Sequence, residues 1–269
     1  MLKELFKRSK SRLKRSDLRA WPDDNVFVEH NRKILLFWSQ KCACTSIAHW
    51  FSKKILEQDY SLAQLRQSDH CISYSESTNL VDAGYTTIFL CRNPYNRSVS
   101  AFTNKFYWHP RRGGCDQFDN LEEFSKELVR YAKLEENFCG ISFIQYLNTV
   151  RDMMAHSVFI NRHWERQIPR HDNYRFKPDF LIKQESFKQD LDVVNDHLNI
   201  PPWSSKPINA SSYQEDFIQS KELLDRVPSA QILENKIALN KENLLSSEAK
   251  LLIQEIYAED FSFFNYDLT

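Results

Sequence analysis

Apolar positions along the chain fall into two kinds of pattern. Three short runs are almost wholly apolar and rich in β-branched and aromatic residues: Ile34-Leu35-Leu36-Phe37-Trp38, Ile88-Phe89-Leu90-Cys91 and Phe180-Leu181-Ile182. Such runs predict strands near 33–38, 86–91 and 179–183. Between and after them, apolar residues recur at helical spacing, as with Ile47, Trp50, Phe51 and Ile55. This predicts helices near 46–58, 95–107, 121–134, 140–154, 186–198 and 245–258. Strands alternating with helices indicate an α/β protein, with a mainly parallel β-sheet flanked by helices. Trp21-Pro22-Asp23-Asp24-Asn25 reads as a turn, and Val26-Phe27-Val28 as an edge strand ahead of the first core strand.

The first two strands end in the same way. Each runs into a polar turn and then a helix: Ser39-Gln40-Lys41-Cys42-Ala43-Cys44-Thr45-Ser46 after the first, Arg92-Asn93-Pro94-Tyr95-Asn96-Arg97-Ser98-Val99-Ser100 after the second. A strand, a cationic loop and a helix start aim backbone N–H groups and a side-chain cation at one place, which suits phosphate or sulfate. Thr45 and Ser46 fit both an anion site and an ordinary helix cap. Pro94 suits a first helical turn, and Arg92 can fork two donors onto one phosphate. Two such loops outside the carboxyl ends of strands are economically explained by one ligand with an anionic group at each end.

These segments resemble the 5′-phosphosulfate and 3′-phosphate loops of sulfotransferases that use 3′-phosphoadenosine 5′-phosphosulfate (PAPS). The likeness is closest to the carbohydrate sulfotransferases, Golgi-type and bacterial family 2. There a Lys-x-Ala-Cys-Thr loop accompanies an Arg-(Asp/Asn)-Pro-(Phe/Tyr)-x-Arg-x-Val-Ser-Ala-Phe segment, which here are Lys41–Thr45 and Arg92–Phe102. Blocks at 161–167, 179–185 and 256–266 continue the resemblance in order, so that it spans roughly residues 30–266. It implies the P-loop-kinase-like sulfotransferase fold and PAPS as co-substrate. It also implies donor contacts at Lys41, Cys42, Ala43, Cys44, Thr45, Ser46, Arg92 and Ser100, with Arg97 ranked below them as a salt-bridging residue on a solvated face. Lys41 would neutralise the oxygen that departs as the sulfuryl group leaves the 5′-phosphate.

Composition limits the alternatives. The chain has 269 residues, 42% of them hydrophobic, enough for one domain (26–269) behind a basic N-terminal segment (1–25). That segment is either an amphipathic peripheral membrane contact or a solvated tail. Lys+Arg and Asp+Glu both number 36, which argues against a nucleic-acid partner. Six irregularly spaced cysteines suit free thiols, and no metal is expected. With no long apolar run or secretory leader, the chain reads as a bacterial-type cytoplasmic protein, peripheral at the inner membrane if the tail binds there; a truncated eukaryotic member would instead belong to the Golgi lumen. A nucleotide kinase is the rival enzyme class, but Gly-x-x-x-x-Gly-Lys-(Ser/Thr) is missing and only four glycines occur. A nucleotide-binding pseudoenzyme or membrane-associated scaffold is the non-catalytic alternative.

The base and the acceptor pocket are less defined. His70, between the two loops, and His163 are the candidate bases, while His49 lies inside a predicted helix; Glu76 and Glu165 are carboxylate alternatives. Phe106 to Gly114 reads as an exposed loop whose Trp108, Arg111 and Arg112 would meet an anionic carbohydrate acceptor, a polysaccharide or a glycolipid. Trp164 and Gln167 belong to a block on the same side. Pro207 to Tyr213 resembles a closing loop.

Overall fold

Strand β2 (Ile34–Trp38) is apolar and buried at every position, so both of its faces require cover. Ile34, Leu36 and Trp38 pack with Ile47, Trp50 and Phe51 on one face. Leu35 and Phe37 meet Tyr74, Phe89 and Phe264 on the other. The computed structural model describes residues 26–109, 113–115, 117–136, 138–156, 160–168, 176–203 and 217–268. The N-terminal segment, the Trp21–Asn25 turn, Arg111, Arg112 and the 207–213 loop lie outside these.

The central sheet has five strands. β1 (Val26–Glu29), β2, β3 (Cys71–Ile72), β4 (Thr86–Cys91) and β5 (Phe180–Lys183) stand in the order β3-β1-β2-β4-β5. β2, β4 and β5 run parallel, in the register Phe37↔Phe89↔Leu181. β1 is antiparallel to both β2 and β3, which makes the sheet mixed. The Val26–Val28 segment is therefore not an edge strand: the two-residue β3 pairs with its outer side.

The two anion-loop helices are α1 (Cys44–Trp50), extended by a π turn over Phe51–Ile55, and α4 (Pro94–Phe102), extended by a π turn over Thr103–Tyr107. Their lengths match the expected spans 46–58 and 95–107 when the wider turns are included. Two short helices lie between them, α2 (Leu62–Arg66) and α3 (Tyr74–Asp82). Each opens on a capping box, Ser61 with Gln64 and Ser73 with Glu76. That Ser-x-x-Gln/Glu spacing is a readable start signal. Further on come α5 (Glu123–Tyr131), α6 (Phe143–Ala155), α7 (Phe187–His197), α8 (Ser247–Ile256) and α9 (Ala258–Phe263).

The largest core cluster lies beside the sheet, where α4, α6 and α8 bring together Phe102, Phe106, Phe143, Tyr146, Trp164 and Tyr257. Phe106 and Tyr107, expected in an exposed loop, are fully buried there. Trp108 is half-buried and packs edge-on against Phe217, with ring centroids 5.4 Å apart. Phe106 and Tyr107 thus build core, and their rings offer no open stacking platform. No helix among the described residues is long and apolar enough to cross a membrane.

Candidate anion-binding and transfer site

The loop leaving β2 turns without glycine. Lys41 and Ala43 take the left-handed backbone themselves, at φ 69° and 63°, at a cost of about 1 kcal/mol each. The conformation makes a concave nest of backbone donors: the N–H groups of Cys42 and Ala43 find no acceptor among the described residues. α1 starts at the next residue, Cys44, and adds the positive end of its dipole.

Lys41 carries the charge of this nest. Its ammonium has no carboxylate partner among the described residues. Burial, together with the nearby Lys105 and Arg92 cations, pulls it down to about 8. Arg92 leaves the end of the adjacent β4 and donates to the Lys41 carbonyl at 2.9 Å. Its Nε is buried with no partner among the described residues. A half-paired guanidinium beside an unpaired ammonium is what an anionic ligand would complete. Ser100 is two turns into α4, half-buried, and its hydroxyl makes no recorded contact with a described residue.

Three buried polar side chains frame the two loops from behind. Gln167 Oε1 accepts from the Arg92 backbone N–H (2.8 Å) and the Cys42 thiol (3.0 Å), and its Nε2 donates to the Arg92 carbonyl (2.8 Å). One side chain thus touches both loops. Asp260, fully buried in α9, accepts the Gln167 and Ile168 backbone N–H groups at 3.0 and 3.2 Å. Arg97 is 2% exposed and donates to the carbonyls of Gln40 (3.0 Å), Glu165 (2.6 Å) and Arg162 (2.9 Å). It is a buried pin and makes no salt bridge on a solvated face. Gln167 and Trp164, expected at the acceptor, are likewise 4% and 1% exposed and belong to the frame and the core.

Cys42, Cys44 and Cys91 are held as thiols. Burial pushes Cys42 up to about 11 and raises Cys44 and Cys91. The Cys42 side chain points to Ser39 and Gln167, behind the loop, leaving its backbone for the nest. Among the described residues no cluster of three or more His, Cys, Asp or Glu could hold a metal ion.

The histidines separate. His70 continues the β3 ladder: its carbonyl accepts from Val28 N–H at 2.8 Å, and its Nδ1 lies 3.1 Å from the Val28 carbonyl. Val28 pairs with Leu35 in the body of β2. His70 is therefore two strand spacings, about 10 Å, from β2 and level with Leu35 near its amino end, not at the carboxyl end where Lys41 sits. Pairing of Cys71 and Ile72 with β1 fixes it there. His49 packs edge-on to Trp203. Glu76 is consumed by its capping box, whose hydrogen bonds from Ser73 lower its pKa. His163 is brought in: Arg97 binds the carbonyls of Gln40 and Arg162 with one guanidinium, which holds the chain before Lys41 beside the chain before His163, and the Lys41 charge reaches the His163 ring.

Sequence reading missed Asp260 and Lys105, and it underrated Arg97. Lys105 pairs with Glu122 at 2.8 Å and lies over the Phe124 ring at 5.1 Å. The basic residue in the wide turn after α4 was the available signal for it.

The family profile described as "Sulfotransferase family" matches residues 24–267. Its members transfer a sulfuryl group and generally use PAPS. Comparison with curated proteins and with solved structures gave no match. The profile spans both loops, the sheet that carries them and the helix that bears Asp260, and on that extent the chain belongs to the sulfotransferase family.

Proposed function

We propose that the protein moves the sulfuryl group of PAPS to a carbohydrate hydroxyl by in-line displacement. The observation that carries this reading is the pair of unsatisfied cations, Lys41 and Arg92, at the ends of adjacent parallel strands. The Lys41 nest takes the 5′-phosphosulfate, with Thr45 and Ser46 at the helix start. Arg92 and Ser100 take the 3′-phosphate. In the transfer, charge builds on the oxygen between sulfur and the 5′-phosphate, and the compact Lys41 cation stabilises it; a donor of this kind is typically worth about 3 kcal/mol of barrier. A carbohydrate acceptor, polysaccharide or glycolipid, follows from the likeness of Lys41–Thr45 and Arg92–Phe102 to the carbohydrate enzymes. The basic N-terminal segment would supply any peripheral membrane contact.

Calorimetric titration with 3′-phosphoadenosine 5′-phosphate (PAP), the desulfated donor, tests the donor half directly. Micromolar PAP binding is expected, weakened at least tenfold in Arg92→Ala and absent for ATP. No PAP binding, or a preference for ATP, removes the PAPS reading.

A further inference from the structure

Asn161 is 2% exposed and stands two residues before His163. Its Oδ1 is 3.0 Å from the backbone nitrogen of His163 and 2.5 Å from the ring Nδ1. A backbone N–H can only donate, so the atom it meets must be the Asn161 carbonyl oxygen, and the amide cannot be flipped. The same oxygen faces Nδ1, which must therefore carry the ring proton. The remaining nitrogen, Nε2, holds the lone pair and has no hydrogen-bond partner among the described residues.

The surroundings keep this imidazole neutral. Its ring stacks on Phe124 from α5, with centroids 5.1 Å apart and an 11° interplanar angle. Burial, then Lys105, Lys41, Arg97 and Arg66, hold its pKa well below the usual histidine value. The Lys105 ammonium that bears on the ring is itself paired with Glu122. Arg66 itself lies over the Trp38 ring at 5.0 Å. A fixed tautomer, a bare Nε2 and a ring within reach of the Lys41 charge are the properties a general base needs.

We infer that His163 is the catalytic base and Asn161 its positioning residue, with Nε2 taking the proton of the acceptor hydroxyl. The inference rests on the transfer reaction proposed above. As the acceptor oxygen bonds to sulfur, its proton passes to Nε2. The bond from sulfur to the bridging oxygen breaks, and its electron pair stays on the 5′-phosphate beside Lys41. The imidazolium then gives its proton to solvent, leaving PAP and the sulfated hydroxyl.

Long-range ¹H–¹⁵N correlation on the full chain labelled with ¹⁵N-histidine tests the dyad without donor or acceptor. At pH 7, the signals lost in His163→Gln should show a protonated Nδ1 and a bare Nε2. In Asn161→Asp a carboxylate replaces the amide, so the titration should move up by a pH unit or more, and the acid limb of the pH–kcat profile should move up with it, a coupled shift that a merely structural role for Asn161 would not produce. The opposite tautomer, an imidazolium at pH 7, or an unmoved titration overturns the inference. In turnover with PAPS and desulfated chondroitin or heparosan, His163→Gln should lose about 10²- to 10⁴-fold in kcat while PAP affinity stays within threefold. Retained kcat with intact PAP binding overturns the role of His163 alone. Loss of PAP binding by the unmodified protein strikes the donor reading instead.

Discussion

Lys41 shows at the scale of one residue how function is set against stability. Its pKa of about 8 in the folded chain lies below the ordinary 10.5. Below pH 8 both states carry the proton, and folding bears the full cost of burying the charge. Between 8 and 10.5 the unfolded chain holds more protons, so this group's share of stability rises with pH. After discounting for partial solvent access, the cost at pH 7 is about 2 kcal/mol. Lys41→Met is expected to raise denaturant stability at pH 7 by about that amount and to remove the rise toward pH 10. The same variant should lose about 10²- to 10³-fold in kcat. A less stable, equally active Lys41→Met would contradict both roles. The nearby left-handed Ala43 belongs to the same exchange: strain is kept where backbone donors must converge.

Gln167 acts at the scale of elements, because it joins the loop after β2 to the loop after β4. Gln167→Leu keeps the volume but strands the Arg92 N–H and carbonyl and the Cys42 thiol in the interior. A loss of about 3 kcal/mol in unfolding free energy is expected, with PAP affinity down at least tenfold, although the residue touches no phosphate. Unchanged PAP titration in a folded variant would show that the loops are placed independently of it. The elements themselves were largely legible: the strands fell within a residue of expectation because each is a continuous apolar run, and α4 because Pro94 marks its start. α2 and α3 escaped a search for apolar periodicity, being five and nine residues long, though their capping boxes were in plain view. The Phe106–Trp108 run misled because buried and exposed aromatics look alike in one dimension. Gln167 was misassigned for a different reason. Its partners lie 75, 93 and 125 positions away, and no local pattern encodes a contact of that range.

For the whole molecule, the load passes to the far end of the chain. Asp260 is fully buried, and burial raises its pKa while Arg97 lowers it. Asp260→Ala leaves the Gln167 and Ile168 N–H groups unpaired, and about 3 kcal/mol should be lost. For a domain of this size that is roughly 6–10 °C in Tm, readable by calorimetry. A drop of less than 2 °C would mean that the α9 contact is dispensable. The donor loops come from the first hundred residues, yet the carboxylate that steadies them comes from α9. During synthesis, the nest at Lys41 leaves the ribosome some two hundred residues before its support, so a nascent or prematurely terminated chain has both anion loops and cannot hold them in register. Competence to bind the donor thereby waits on the synthesis and docking of α9.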